Sequence, residues 1–115
     1  MNNNITENSV VKFQFFGNII TVIFEHLVKI DDDNVVLGYA EPWTYVIHVS
    51  LYDPHDNPIP EKQIKTTIVH EMVHLFLDSG EYGKYSNNEP MVEWLAKCIT
   101  EMLSNSKFNN LMNNF

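Results

Sequence analysis

The chain has 115 residues and a formal charge of −8, from 15 acidic residues and 7 basic ones that are all lysine. This acidity is unfavourable for contact with nucleic-acid phosphates or anionic lipids, so we expect neither a nucleic-acid nor a membrane partner. The length favours a single domain, and a lone cysteine, Cys98, excludes an internal disulfide. The polar start is unlike a signal peptide and no apolar run is long enough to span a membrane, so we expect a cytoplasmic protein.

The first half of the chain is predicted to form a small sheet. Segments rich in Val, Ile and Phe lie on either side of Gly17, a composition typical of two strands joined by a tight turn. A helix over 19–30 is an alternative, because short apolar runs do not fix the period. The predicted strands span 10–16, 19–25, 35–39 and 44–51. A proline-rich loop over 53–60 ends this half of the chain.

Two helices are predicted in the second half. The first covers 61–77, with Pro60 in its first turn and Gly80 just beyond its end. The second covers 89–103 and begins at a capping asparagine, Asn88. The expected fold is α+β, a mainly antiparallel sheet of three or four strands packed on both helices in one compact domain over 1–115. The polar ends, 1–9 and about 105–115, are expected to be loosely ordered.

The sequence His70-Glu71-x-x-His74 lies in the middle of the first predicted helix. Because residues four apart project from the same face of a helix, the two imidazoles can bind one metal ion. Glu71 is displaced by one residue, where it can hold a water molecule bound to that ion. A chance match is expected only about 0.02 times in a chain of this composition, so we interpret the pattern as a zinc site.

Two histidines leave a catalytic zinc site incomplete, so a third ligand is required. The downstream candidates are Asp78, Glu81, Glu89 and Glu93. Asp78 is a poor candidate because it lies on the same helix as both histidines, and Glu81 lies in a glycine-flanked loop. Glu89 and Glu93 begin the helix that must pack on the first one, and either could complete three ligands around an open fourth position.

The motif with the later stretch Asn88-Glu89-Pro90-Met91-Val92-Glu93 resembles the gluzincin family of zinc peptidases. It is also similar to the very small minigluzincins and to compact peptidase domains of phages and of the ImmA/IrrE type. In gluzincins a second helix carries Asn-Glu-x-x-x-Asp, whose first acid binds zinc and whose later acid holds a ligand histidine. The resemblance implies that Glu89 binds zinc and Glu93 orients a histidine, although Glu93 replaces Asp and the choice between them stays open.

The resemblance implies a metallopeptidase that binds one zinc ion per chain and hydrolyses a peptide or protein substrate with Glu71 as general base. It also implies that the strand over 44–51 is an edge strand that pairs with extended substrate. Tyr82 and Tyr85 are candidate donors to the transition state. The alternative function is an inert zinc-binding interaction module, and the small chain leaves room for a protein partner that helps to recognise the substrate.

The remaining residues of chemical interest are assigned structural roles. A histidine within the strand over 44–51, His48, is expected to lie at the surface or in packing, and His26 and His55 have no partner in the sequence. Cys98 is expected to be a buried thiol. The apolar stripe that contains it is expected to belong to the core, and its members are Trp94, Leu95, Cys98, Ile99 and Met102.

Overall fold

The computed structural model describes residues 5–41 and 43–115, which form six strands and three α-helices. The strands are β1 (Val10–Phe15), β2 (Asn18–Glu25), β3 (Val28–Lys29), β4 (Val35–Val36), β5 (Gly38–Glu41) and β6 (Val46–Ser50). The helices are α1 (Glu61–Ser79), α2 (Glu89–Ser104) and α3 (Ser106–Asn113), with a 3-10 turn at Gly83–Tyr85. The prediction of an α+β fold is confirmed.

Four strands form the main sheet in the order β1-β2-β6-β5. The outer pairs β1–β2 and β5–β6 are antiparallel, and the central pair β2–β6 is parallel. The segment 19–25 lies in β2, so the alternative of a helix over 19–30 is wrong. The strand predicted over 44–51 is β6, and it lies between β2 and β5. The expectation that it forms an edge is therefore wrong, because β5 folds back on it and takes the edge position.

One face of the main sheet packs on α1. Alternating residues of β2 and β6 point to this face because successive side chains of a strand point to opposite sides. The buried cluster consists of Ile20, Val22, Phe24, Ile47, Val49, Met72 and Leu75. Helix α1 is thereby held against the sheet, and α2 packs on α1. Both helices that carry the predicted metal ligands are thus fixed by the core.

The predicted caps of the two main helices are present. Pro60 stands at the N-cap of α1 and Gly80 follows its last residue. The side chain of Asn88 accepts a hydrogen bond from the Met91 N–H at 3.2 Å and begins α2. This cap fixes the position of the next residue, Glu89, at the start of α2.

The outer side of α2 differs from the prediction. Trp94 is 66% exposed, and Leu95 and Met102 are exposed as well. Cys98 is also exposed, so the expectation of a buried thiol is wrong. The expected core stripe is wrong at four of its five residues, since only Ile99 is half-buried. The residues of α2 that face α1 are Val92, Ala96 and Thr100, which are buried. Helix α2 therefore carries two apolar stripes, and only one of them packs in the core.

The ends of the chain contain more structure than the sequence predicted. Residues 106–113 form α3, whose N-cap Asn105 accepts a hydrogen bond from the Phe108 N–H at 2.9 Å. At the other end, the Asn8 N–H donates to the Phe24 carbonyl at 2.7 Å. Residues 1–4 of the expected loose N-terminus lie outside the described residues. None of the helices in the described part of the chain is both long and apolar enough to cross a membrane.

Candidate metal centre

Three predicted ligands converge at the junction of α1 and α2. His70 and His74 project from one face of α1, and their rings lie 5.0 Å apart between centroids. Glu89, in the first turn of α2, places its two carboxylate oxygens 3.3 Å from His70 Nε2 and 3.1 Å from His74 Nε2. One ligand atom from each residue lies within 4.8 Å of the other two.

The donor set of this cluster fits a zinc ion. Zinc binds imidazole nitrogens and carboxylate oxygens at about 2.0–2.2 Å, and two ligands at tetrahedral angles are then roughly 3.4 Å apart. The nitrogen–oxygen separations of 3.1 and 3.3 Å are close to that spacing. The two histidines are half-buried, whereas Glu89 is exposed. The cluster thus has a protein-lined side and a side that opens to solvent.

The other predicted ligands lie apart from this cluster or only beside it. The carboxylate of Glu93 is 3.2 Å from Lys97 Nζ, one turn along α2, and it is not one of the three residues whose ligand atoms converge. Asp78 lines the cavity next to the cluster, and Glu81 lies exposed beyond the end of α1. Of the four acids that the sequence left as candidates, the structure brings Glu89 to the two histidines.

A hydrogen bond to His74 comes from a residue that sequence reasoning missed. Ser86 Oγ lies 2.9 Å from His74 Nδ1, and Ser86 is buried at the end of the 3-10 turn. If His74 Nδ1 carries the proton and donates a hydrogen bond to Ser86 Oγ, the lone pair of Nε2 is free to bind a metal. No spacing in the sequence points to Ser86, because the turn that holds it has no periodic pattern.

Glu71 is buried beside the cluster, with only 9% of its surface exposed. Burial raises the pKa of its carboxyl above the usual range. The charge of His70 lowers this pKa, and the charge of Glu89 raises it. A hydrogen bond from the Ala40 N–H lowers the pKa but does not cancel the effect of burial. Glu71 is therefore a carboxylate of increased basicity at the wall of the site.

The edge strand β5 approaches α1 closely at Gly38. A Cβ atom built on Gly38 would lie 2.6 Å from Thr67 Cγ2 and 3.2 Å from Glu71 Cγ. Only glycine allows this approach, because atoms at such distances overlap. The contact sets the distance between the free edge of the sheet and the buried carboxylate of Glu71.

Two cavities lie on either side of this contact. One, of about 450 Å³, is lined by parts of β4, β5, α1 and α2, including Leu37, Thr67 and Glu93. The other, of about 340 Å³, contains the three ligands together with Tyr39 and Asp78. Gly38, His70 and Glu71 line both cavities. The two cavities together form a cleft that runs along β5 and past the candidate metal ligands.

The predicted transition-state donors are not among the residues that line this cleft. Tyr82 and Tyr85 are both exposed, and their rings lie 6.4 Å apart around the 3-10 turn. Lys84 Nζ lies 5.0 Å from the centre of the Tyr85 ring. The tyrosine that does line the cleft is Tyr39 of β5.

The remaining histidines lie away from the candidate metal centre. His48, on β6, bridges two strands, with Nδ1 2.6 Å from Glu25 and Nε2 2.5 Å from Glu41. His26 contacts Glu7 and Asp56 and stacks on Tyr52. His55 is exposed in the loop before α1.

In comparisons with known proteins, no family model, no curated protein and no solved structure matches this chain.

Proposed function

We propose that the chain is a zinc-dependent metallopeptidase that hydrolyses peptide bonds, as the resemblance to gluzincins implies. The observation that carries the proposal is the cluster of His70, His74 and Glu89 beside the buried carboxylate of Glu71. Structural zinc sites close four protein ligands around the ion, whereas catalytic sites use three and leave a position open. The cluster has three such residues within the described part of the chain, and it faces an open cleft.

Zinc held by these residues would polarise the scissile carbonyl and make water a nucleophile at neutral pH. Glu71 accepts the proton of the attacking water and passes it to the leaving amine. The raised pKa that burial gives Glu71 suits this role, because a stronger base takes the proton more readily. Ser86 fixes the orientation of the His74 ring from the side away from the cleft.

The free edge of β5 is suited to hold an extended peptide. The Leu37 carbonyl accepts a hydrogen bond from the Ser50 N–H, so Leu37 points its backbone groups toward the neighbouring strand. In an antiparallel pair this direction alternates, so the N–H and C=O of Gly38 and Ala40 point away from β6. The Ala40 N–H already donates to the Glu71 carboxylate. The groups that lie along the cleft and can pair with a substrate strand are therefore the N–H and C=O of Gly38 and the Ala40 carbonyl, as in other β-strand additions.

The test uses the Glu71→Gln variant, which keeps the size of the side chain and removes its basicity. We expect this variant to bind zinc as the wild type does and to lose hydrolysis of a mixture of unstructured peptides, followed by mass spectrometry. His55→Gln is the matched control, because His55 is exposed and lines neither cavity of the cleft. This variant should cleave as the wild type does.

Two outcomes would contradict the proposal in different ways. Equal cleavage by Glu71→Gln and the wild type would remove Glu71 from the role of general base. A wild type that binds zinc yet cleaves no peptide would favour the alternative, an inert zinc-binding module on the same scaffold.

A further inference from the structure

The outer side of α2 carries an apolar stripe that is exposed except for its first residue, Met91, which is half-buried. Met91, Leu95, Cys98 and Met102 are spaced four, three and four residues apart, so they lie along one side of the helix. Trp94 flanks them and is 66% exposed. We call these five residues the outer stripe. It lies roughly 120° around α2 from the buried stripe that packs on α1.

Helix α3 extends this apolar surface. Its apolar residues Phe108, Leu111 and Met112 share one face, yet none of its eight described residues is buried. Among the helices and strands of the described chain, α3 has substantial contact with α2 alone. An isolated helix of this length is unstable in water, so an amphipathic one needs a surface to pack on. The surface formed by the outer stripe and α3 therefore lacks a partner.

The charges that border the outer stripe are already neutralised within the chain. Glu93 pairs with Lys97 at 3.2 Å, and Glu101 pairs with Lys62 at 2.9 Å. The outer stripe itself contains no charged residue, and the charged residue of α3 is Lys107. The net charge of −8 is thus carried by other parts of the chain. Since the acids at this border are paired, a basic partner gains little here, and a second copy would meet a surface whose apolar stripe is uncharged.

The size of this surface matches a self-association interface. From the fractional exposure of its side chains, the outer stripe and α3 present on the order of 600 Å² per copy. Two copies would bury roughly 1,200 Å², which is the lower end of the range for specific interfaces. A patch of this size is at the upper end of what a typical monomer exposes, and such patches are often functional.

We propose that this surface pairs with the same surface of a second copy, and that the chain forms a two-fold symmetric dimer through α2 and α3. In an isologous dimer the same patch meets itself, so an uncharged helical stripe with paired charges at its border is self-complementary. Trp94 is the central anchor of the interface, since tryptophan is the residue type most enriched at binding hot spots.

Sedimentation velocity of the full chain over a concentration series tests this proposal. We expect the wild type to sediment as a species of twice 13.4 kDa at tens of micromolar. Trp94→Glu should raise the dissociation constant by roughly thirtyfold or more. Trp43→Glu is the matched control, because Trp43 is 92% exposed, lies between β5 and β6, and should leave the dimer intact.

A second measurement does not depend on any destabilising substitution. Cys98 is the only cysteine of the chain and lies in the outer stripe, so a short bismaleimide should join two copies through it. If the wild type is monomeric over the whole concentration series, the proposal is overturned. A different protein or a lipid surface would then be the partner of this face. The proposal would also be overturned by a dimer that survives Trp94→Glu or is lost in Trp43→Glu.

Discussion

Replacing Gly38 by alanine tests how the edge strand is positioned against the metal-binding helix. The added Cβ would lie 2.6 Å from Thr67 Cγ2, 3.2 Å from Glu71 Cγ and 3.3 Å from the His48 carbonyl oxygen. Two of these neighbours belong to α1 and one to β6, so β5 has to move away from both elements. Overpacking of this kind costs about 1–3 kcal/mol. For a chain of this size we expect the melting temperature to fall by roughly 4–12 °C.

The same structure supplies a rescue and a control for this prediction. Thr67→Ser removes the Cγ2 atom that makes the shortest contact, so adding it to Gly38→Ala should restore part of the lost stability. Gly83→Ala is the control, because its Cβ would meet only the Leu77 carbonyl oxygen at 4.0 Å. Thermal melts followed by circular dichroism measure all four proteins. Equal melting of the Gly38 and Gly83 variants, or no rescue by Thr67→Ser, would refute the close approach.

Three further predictions concern single side chains. Burial lowers the pKa of His48, but hydrogen bonds to its two carboxylate partners outweigh this and raise it above the usual range. The stability that protonated His48 contributes is therefore full below its pKa in the unfolded chain and is lost as pH rises through its pKa in the folded protein. The melting temperatures of the wild type and His48→Gln should therefore become equal at alkaline pH. Ser86→Ala should weaken zinc binding by about 10–100-fold in a competition titration, because the His74 ring loses its orienting partner. Asn88→Ala removes the cap of α2 and should lower the free energy of unfolding by about 1 kcal/mol in urea titrations.

The parts of the fold that follow from local patterns were predictable. The predicted α1 and α2 agree with the observed helices to within two residues at each end, because proline, asparagine and glycine mark their ends. The spacing of His70 and His74 on one helix face likewise depends on local geometry alone. The order of the strands does not depend on local geometry alone, because a hairpin can place either of its strands at the edge of the sheet. The resemblance implied that the segment over 44–51 lies at the edge, whereas it forms β6 between β2 and β5.

The features that depend on packing between elements were not predictable. The sequence predicted one apolar stripe on α2, but periodicity could not show which side of the helix faces α1. The stripe with Trp94 and Cys98 was assigned to the core for that reason, and it is exposed. The angle at which α2 meets α1 brings Glu89 to the histidines, whereas Glu93 pairs with Lys97 one turn along α2 itself. Sequence spacing alone does not fix that angle, so it left both acids open as ligands.

The zinc stoichiometry of the purified protein, measured by mass spectrometry of the metal, tests the central claim most directly. The account predicts one zinc ion per chain in the wild type and in Glu93→Gln, and loss of zinc in His74→Ala and Glu89→Ala. A wild type that binds no zinc, or a His74→Ala variant that retains it fully, would contradict the account.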